Sequence, residues 1–155
     1  MIAIIDYGMG NLFSVEKAFA KLGAEVVVTS DPEIILGADK VVLPGVGAFG
    51  DCMKNLTEYG MIDVIHTVAR RGTPFMGICL GMQVLFEGSE EDPGVKGLGI
   101  FPGMVRKIVA PELKIPQMGW NSLEFAAPSP LFVNMPAEPY VYFVHSYHVV
   151  PEDSG

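Results

Sequence analysis

Chemistry is concentrated in one stretch of this chain, Pro74-Phe75-Met76-Gly77-Ile78-Cys79-Leu80-Gly81-Met82-Gln83, where an apolar run ends in a cysteine with a glycine two positions to either side. It reads as strand, sharp turn and helix, with Cys79 on the turn at the carboxyl edge of a sheet. Gly77 and Gly81 would give the turn steric freedom, as in the Gly-x-nucleophile-x-Gly elbow. The positive end of the following helix would favour the thiolate, which is the reactive form. The same residue also fits a packing role at the end of a core strand, because free cysteine is among the most buried residue types. Both readings stand at this point.

A second loop belongs to the same edge. Pro44-Gly45-Val46-Gly47-Ala48-Phe49-Gly50-Asp51 follows another apolar run and carries three glycines in six residues. Such a loop lets backbone amides approach a ligand closely, and a pair of free N–H groups beside a cysteine elbow makes an oxyanion hole. A phosphate cradle is the rival reading, but the Lys and Ser/Thr of a P-loop are missing. A third loop, Asp6-Tyr7-Gly8-Met9-Gly10-Asn11, lacks the last glycine of the dinucleotide fingerprint, since Phe13 stands there. It reads as a tight turn into a helix unless a partner docks on it, and no nicotinamide, flavin or other cofactor is expected. His66, His145 and His148 lie in separate or extended segments without zinc spacing, so no metal is expected either.

The elements that must place these loops follow from hydrophobic rhythm. Residues 1–6 form a strand, and Leu12, Val15, Phe19 and Leu22 recur at helical spacing up to Gly23. Strands follow at 25–29, 39–43 and 73–78, with a short helix opened by Asp31-Pro32 and one or two helices over 51–70, broken near Gly60. The elbow helix is expected over 80–86. This alternation gives an α/β fold, an open and mostly parallel sheet with helices on both faces. After the polar loop 87–94 the texture changes to short strands at 104–109, 121–125 and 140–150, an antiparallel β extension of the same single domain, residues 1–155.

Charge and composition exclude other classes. A net charge of −8 with no basic stripe makes nucleic acid an unfavourable partner. No apolar run reaches membrane-spanning length, and Met1-Ile2-Ala3-Ile4-Ile5 is already strand without a basic leader, so a cytoplasmic protein is expected. In a reducing cytosol Cys52 and Cys79 are expected as free thiols.

Taken together, the elbow 77–83, the loop 44–49 and the later His145-Ser146-Tyr147 resemble the class I (triad) glutamine amidotransferases. Asp6 to Asn11, Pro93-Gly94-Val95-Lys96-Gly97-Leu98-Gly99, Met118-Gly119-Trp120-Asn121 and Tyr142 to His148 resemble, within that class, the glutaminase subunits of imidazole glycerol phosphate synthases. The resemblance implies a flavodoxin-like fold and a subunit that hydrolyses glutamine to glutamate. It further implies that the ammonia passes to a (β/α)8-barrel cyclase partner, in a heterodimer that makes imidazole glycerol phosphate and aminoimidazole carboxamide ribotide for histidine biosynthesis.

The resemblance also distributes roles. It makes Cys79 the nucleophile and places oxyanion donors on the backbone of Val46, Gly47 and Leu80. Glutamine falls to Gln83, Glu91, Ser146 and Tyr147, and the partner interface to Asn11, Trp120 and Tyr142. From the residues alone Glu91 suits a substrate ammonium or a solvated acidic loop, and Trp120 suits an interface anchor or a core aromatic.

The chain departs from the family pattern in two places. The Phe-His-Pro-Glu type segment that supplies the triad base and its orienting carboxylate has no counterpart before Gly155, so a C-terminally truncated chain, inactive alone, is expected. Gln117 stands where related chains commonly carry histidine. Two further classes remain alternatives: a cysteine-elbow thiol hydrolase without an ammonia-using partner, and a non-catalytic small-anion-binding module.

Overall fold

The computed structural model describes residues 1–125 and 127–152. The chain divides into two compact units, one built from Met1–Arg106 with the strand end that begins at Val149, the other from Lys107–His148.

The first unit is organised by a four-stranded parallel sheet of β1 (Ile2–Ile5), β2 (Val26–Thr29), β3 (Lys40–Gly45) and β4 (Phe75–Cys79), in the order β2-β1-β3-β4. β1 and β3 are short continuous apolar runs because they lie inside the sheet. Ala3, Ile4, Ile5 and Leu43 are fully buried. β2 at one edge is only half-buried along its length.

Five helices connect or follow these strands. Helix α1 (Leu12–Lys21) starts where the Asn11 side chain accepts from the Ser14 N–H. Asp31 caps α2 (Pro32–Leu36), which carries proline in its first turn. Helices α3 (Phe49–Glu58) and α4 (Met61–Arg70) are separated at Gly60, whose φ of 67° is the left-handed conformation that ends one helix and starts the next. The short α5 (Leu80–Gln83) follows β4 directly. Chain order reverses between β1 and β3. Because parallel crossovers are right-handed, α1 falls on one face of the sheet and α2, α3 and α4 on the other. Phe49, Leu56, Ile65 and Val68 of α3 and α4 complete the core.

Beyond α5 the chain forms a further sheet of β5 (Gly88–Ser89), β6 (Gly103–Lys107) and β9 (Tyr147–Pro151), in the order β5-β6-β9. The second unit is an antiparallel ribbon of β7 (Gln117–Ser122) and β8 (Tyr140–His145), with a 3-10 turn at Pro130–Phe132 between them.

The α/β reading and its helix and strand order hold, with local corrections. The elbow helix ends at Gln83 instead of Phe86, and the chain turns at once as the Leu85 N–H bonds to the Met82 carbonyl. The strand expected over 121–125 occupies Gln117–Ser122, because pairing with β8 runs from Gln117↔His145 to Ser122↔Tyr140. The single strand expected over 140–150 breaks at Ser146. The extension is antiparallel in β7–β8 but parallel where β5 meets β6.

Candidate active site

The site begins with register. β3 and β4 pair in parallel up to Pro44↔Ile78 and Gly45↔Cys79, so the cysteine ends its strand level with the point where β3 opens into the Val46–Gly47 loop. Two loops separated in sequence by helices α3 and α4 and by β4 itself thus meet at one carboxyl edge, beside the reversal of strand order where open α/β sheets bind ligands.

Cys79 is exposed and adopts φ 55° and ψ −117°. Exposure removes the core-packing reading. A non-glycine residue at such a φ is strained, and strain of this kind concentrates at functional sites and in nucleophile elbows. The glycines around it act differently from the sequence expectation. Gly45, Gly77 and Gly81 are absent from the positive-φ residues of the described chain, so none of them supplies unusual backbone angles. They supply room. A Cβ on Gly77 would lie 2.5 Å from Met82 Cα, one on Gly45 would lie 2.6 Å from the Gly81 nitrogen, and one on Gly81 would overlap the Leu43 carbonyl oxygen. The first turn of α5 therefore rests directly on the backbone of β3.

That close approach sets the donors. The first N–H groups of α5, beginning at Leu80, have no partner inside their own helix. Val46 and Gly47 lie just past the last β3–β4 pair, Val46 half-exposed and Gly47 at φ 96°. With four residues in place of the seven expected over 80–86, α5 carries only a fraction of a macrodipole, so local amides are the main electrostatic resource here.

Glu91 and Asp92 hold the far side of the glycine loop. Phe49 N–H donates to Glu91 Oε2 at 3.0 Å and Gly50 N–H to Asp92 Oδ2 at 2.7 Å. Helix α3 has Ala48 as N-cap with no capping side chain of its own, and these two carboxylates from a distant loop replace it. The solvated-face reading of Glu91 therefore gives way to a part-buried helix cap. Gln83 closes α5 and is half-buried.

Sequence reasoning missed Tyr7. It was read as part of a tight turn, yet it is fully buried, and its hydroxyl donates to the Pro44 carbonyl at 2.7 Å and lies 3.3 Å from Cys52 Sγ. Burial, followed by the adjacent thiol, pushes the tyrosine pKa up. Burial pushes the Cys52 thiol up to about 11. The signal that could have found it is elementary: a tyrosine at the end of a fully apolar strand must find a partner for its hydroxyl. Asn11, expected at an interface, is exposed and uses its side chain to cap α1.

The second unit holds the other expected residues. Ser146 is half-buried at the β8–β9 break, its carbonyl accepting from the Ile108 N–H at 2.9 Å, and Tyr147 begins β9. His145 Nδ1 lies 2.9 Å from the Tyr147 carbonyl oxygen and its ring stacks on Phe143, so this histidine is tied to its own strand end. On the ribbon, Trp120 faces Tyr142 in register with their rings edge to face at 5.6 Å. Trp120 is 68% exposed, which removes the core-aromatic reading, and Met118, Tyr140, Tyr142 and Val144 continue an apolar exposed face. Gln117 lies on the alternate side of β7 and donates to Asn121 Oδ1 at 2.7 Å. Among the described residues no His, Cys, Asp or Glu cluster is placed to hold a metal, and no helix is long and apolar enough to cross a membrane.

Known proteins resemble this chain in fold and in sequence. A solved structure titled "Crystal structure of glutamine amidotransferase" superposes with a TM-score of 0.73 at 19% identity, over 100% of this chain and 76% of that one, a likeness of fold. Imidazole glycerol phosphate synthase subunit HisH of Moorella thermoacetica is 53% identical over 152 residues, covering 98% of this chain and 72% of its own length. The subunit of the same name from Syntrophotalea carbinolica is 51% identical over 161 residues, covering 100% and 78%. Residues 3–155 match the family described as Glutamine amidotransferase class-I. With the match running through both units and half of all positions shared with such subunits, the chain belongs to the class-I glutamine amidotransferase family.

Proposed function

We propose that the chain hydrolyses glutamine to glutamate and ammonia with Cys79 as nucleophile, and that the ammonia supplies a cyclase subunit of imidazole glycerol phosphate synthase in histidine biosynthesis. The observation that carries the site is a strained, exposed Cys79 in register with Gly45, beside the Val46–Gly47 loop. The thiolate attacks the amide carbon, and the carbonyl oxygen becomes an oxyanion that the N–H groups of Leu80 and of Val46 or Gly47 stabilise. The C–N bond then breaks as the nitrogen takes a proton and leaves as ammonia. A thioester to Cys79 remains, and water cleaves it to glutamate and free thiol.

Substrate holding completes the reading. Glu91 takes the α-ammonium with the carboxylate capacity left beside its bond to Phe49, and Gln83 and the backbone at Ser146 and Tyr147 take the rest of glutamine. No Phe-His-Pro-Glu type run occurs within the 155 residues, and none of the residues named here is given the role of triad base. Residues 1–155 then count as part of one class I domain, cytoplasmic in this reading. The partner is a (β/α)8 barrel bound as a heterodimer, with Asn11, Trp120 and Tyr142 at the interface. The exposed apolar face of the ribbon supports the last assignment, since surfaces rich in Trp and Tyr are typical anchors.

Incubating the protein, together with its cyclase partner, with a diazoketone analogue of glutamine tests the site. The adduct is expected on Cys79 and is lost in Cys79→Ala. An adduct on Cys52, or none in the assembled enzyme, overturns the assignment.

A further inference from the structure

A buried polar chain behind the reacting residues is not used by the chemistry above. Tyr7 is fully buried, with its hydroxyl 2.7 Å from the Pro44 carbonyl oxygen and 3.3 Å from Cys52 Sγ. A tyrosine hydroxyl has one proton to give. With that proton committed to the carbonyl, the Cys52 thiol is the donor to the Tyr7 oxygen. The chain runs from Cys52 on α3, through Tyr7 two residues past β1, to the end of β3.

Its position matters because β3 is held unevenly at that end. On the β4 side pairing continues to Gly45↔Cys79, whereas on the β1 side it stops at Ile4↔Val42. Pro44 thus has no ladder partner on β1, and the Tyr7 hydroxyl stands in for one. The bonded carbonyl belongs to the peptide between Pro44 and Gly45, immediately before the Val46 and Gly47 amides. A Cβ on Gly45 would lie 3.0 Å from the same hydroxyl, so the approach is close as well as directional.

We propose that the Tyr7 hydroxyl is a positioning group for the oxyanion-stabilising amides, fixing the Pro44–Gly45 peptide so that the Val46–Gly47 loop sits beside Cys79. This rests on the reading of Cys79 and that loop as the glutaminase site. Losing one such hydrogen bond is expected to cost roughly tenfold in rate, which is about 1.4 kcal/mol.

The test uses the full chain assembled with its cyclase partner and three measurements on Tyr7→Phe. Glutaminase kcat is expected to fall roughly tenfold, with KM for glutamine within about twofold. Alkylation of Cys79 by iodoacetamide, a displacement at saturated carbon that builds no oxyanion, is expected to stay within about twofold. An unchanged kcat overturns the proposal. So does an equal fall in alkylation, which would mean that the elbow itself had moved. If Tyr7→Phe does not fold, Tyr7→4-fluorophenylalanine fills the hydroxyl's space without a proton to donate. Failure of that variant to fold as well would assign the hydroxyl to stability and also overturn the proposal. A Cys79→Ala enzyme that still hydrolyses glutamine refutes the underlying site, whatever Tyr7 does.

Discussion

Replacing Cys79 with glycine is expected to abolish glutamine hydrolysis and, at the same time, to stabilise the protein. Cys79 holds φ 55° and ψ −117°, angles at which a Cβ crowds the backbone and glycine does not. Keeping an L-residue in such a region costs about 1–3 kcal/mol. Glycine relieves that cost, and its greater freedom in the unfolded chain takes back about 0.5–1 kcal/mol. Little burial is lost, because the side chain is exposed. Taking the middle of each range, the net gain is about 1.2 kcal/mol, or a rise in Tm of about 2–5 °C for a chain of this length. Cys79→Ala is the control, since it removes the sulfur but keeps the Cβ and so the strain. Urea unfolding of the three proteins under reducing conditions, compared at equal m, reads the difference as a shift of midpoint. A glycine variant no more stable than the alanine variant would refute the claim that the nucleophile is held in a strained conformation.

Three other outcomes follow from the same geometry. Glu91→Gln keeps an acceptor for the Phe49 N–H but loses its charge at the start of α3, so stability should fall by about 0.5 kcal/mol and KM for glutamine should rise roughly tenfold; an unchanged KM in steady-state assays leaves Glu91 as a helix cap alone. In the unfolded chain Cys52 releases its proton near 9.0, whereas the folded protein holds it to about 11, so the unfolded state binds fewer protons in that window and stability falls as pH rises through it. Cys52→Ala should remove about 2 kcal/mol of that fall, leaving the part due to Tyr7, and equal losses between pH 8 and pH 10.5 in denaturant unfolding of both proteins would contradict this. Trp120→Ala should leave stability within about 0.5 kcal/mol, since the ring is 68% exposed, while weakening the cyclase complex about 30-fold by titration calorimetry.

The sheet was legible in the sequence because its strands announce themselves. Ile2 to Ile5 and Val41 to Leu43 are apolar runs too short for helices, bounded by turn residues, and such runs are what a buried parallel strand requires. The elbow was legible for a similar reason, a cysteine between glycines at a strand end. What escaped was set by partners far along the chain. The ends of β7 depend on β8, about twenty residues later, and the cap of α3 comes from Glu91 and Asp92, 42 positions away. No local pattern encodes either. Tyr7 escaped because a glycine-rich loop drew attention to its backbone freedom and away from the one side chain in it that had to be buried.

The glycines of the elbow show how conformation and packing can be exchanged in a sequence reading. Two glycines around a nucleophile suggest that the turn borrows its unusual angles from them, yet the unusual angles belong to Cys79 itself. Gly77, Gly81 and Gly45 are instead the points where α5 meets the backbones of β4 and β3, and each would need a neighbour to move if it carried a Cβ. The two facts are connected. A strained residue persists only where its surroundings leave no easier arrangement. Here the helix start is pressed onto β3 at Gly81 and Gly45, β4 is paired to its last residue, and the chain between them has a single residue in which to turn. The strain at Cys79 is thus the geometric consequence of close packing on either side of it, and the same packing brings the first amides of α5 to the edge where an oxyanion would form.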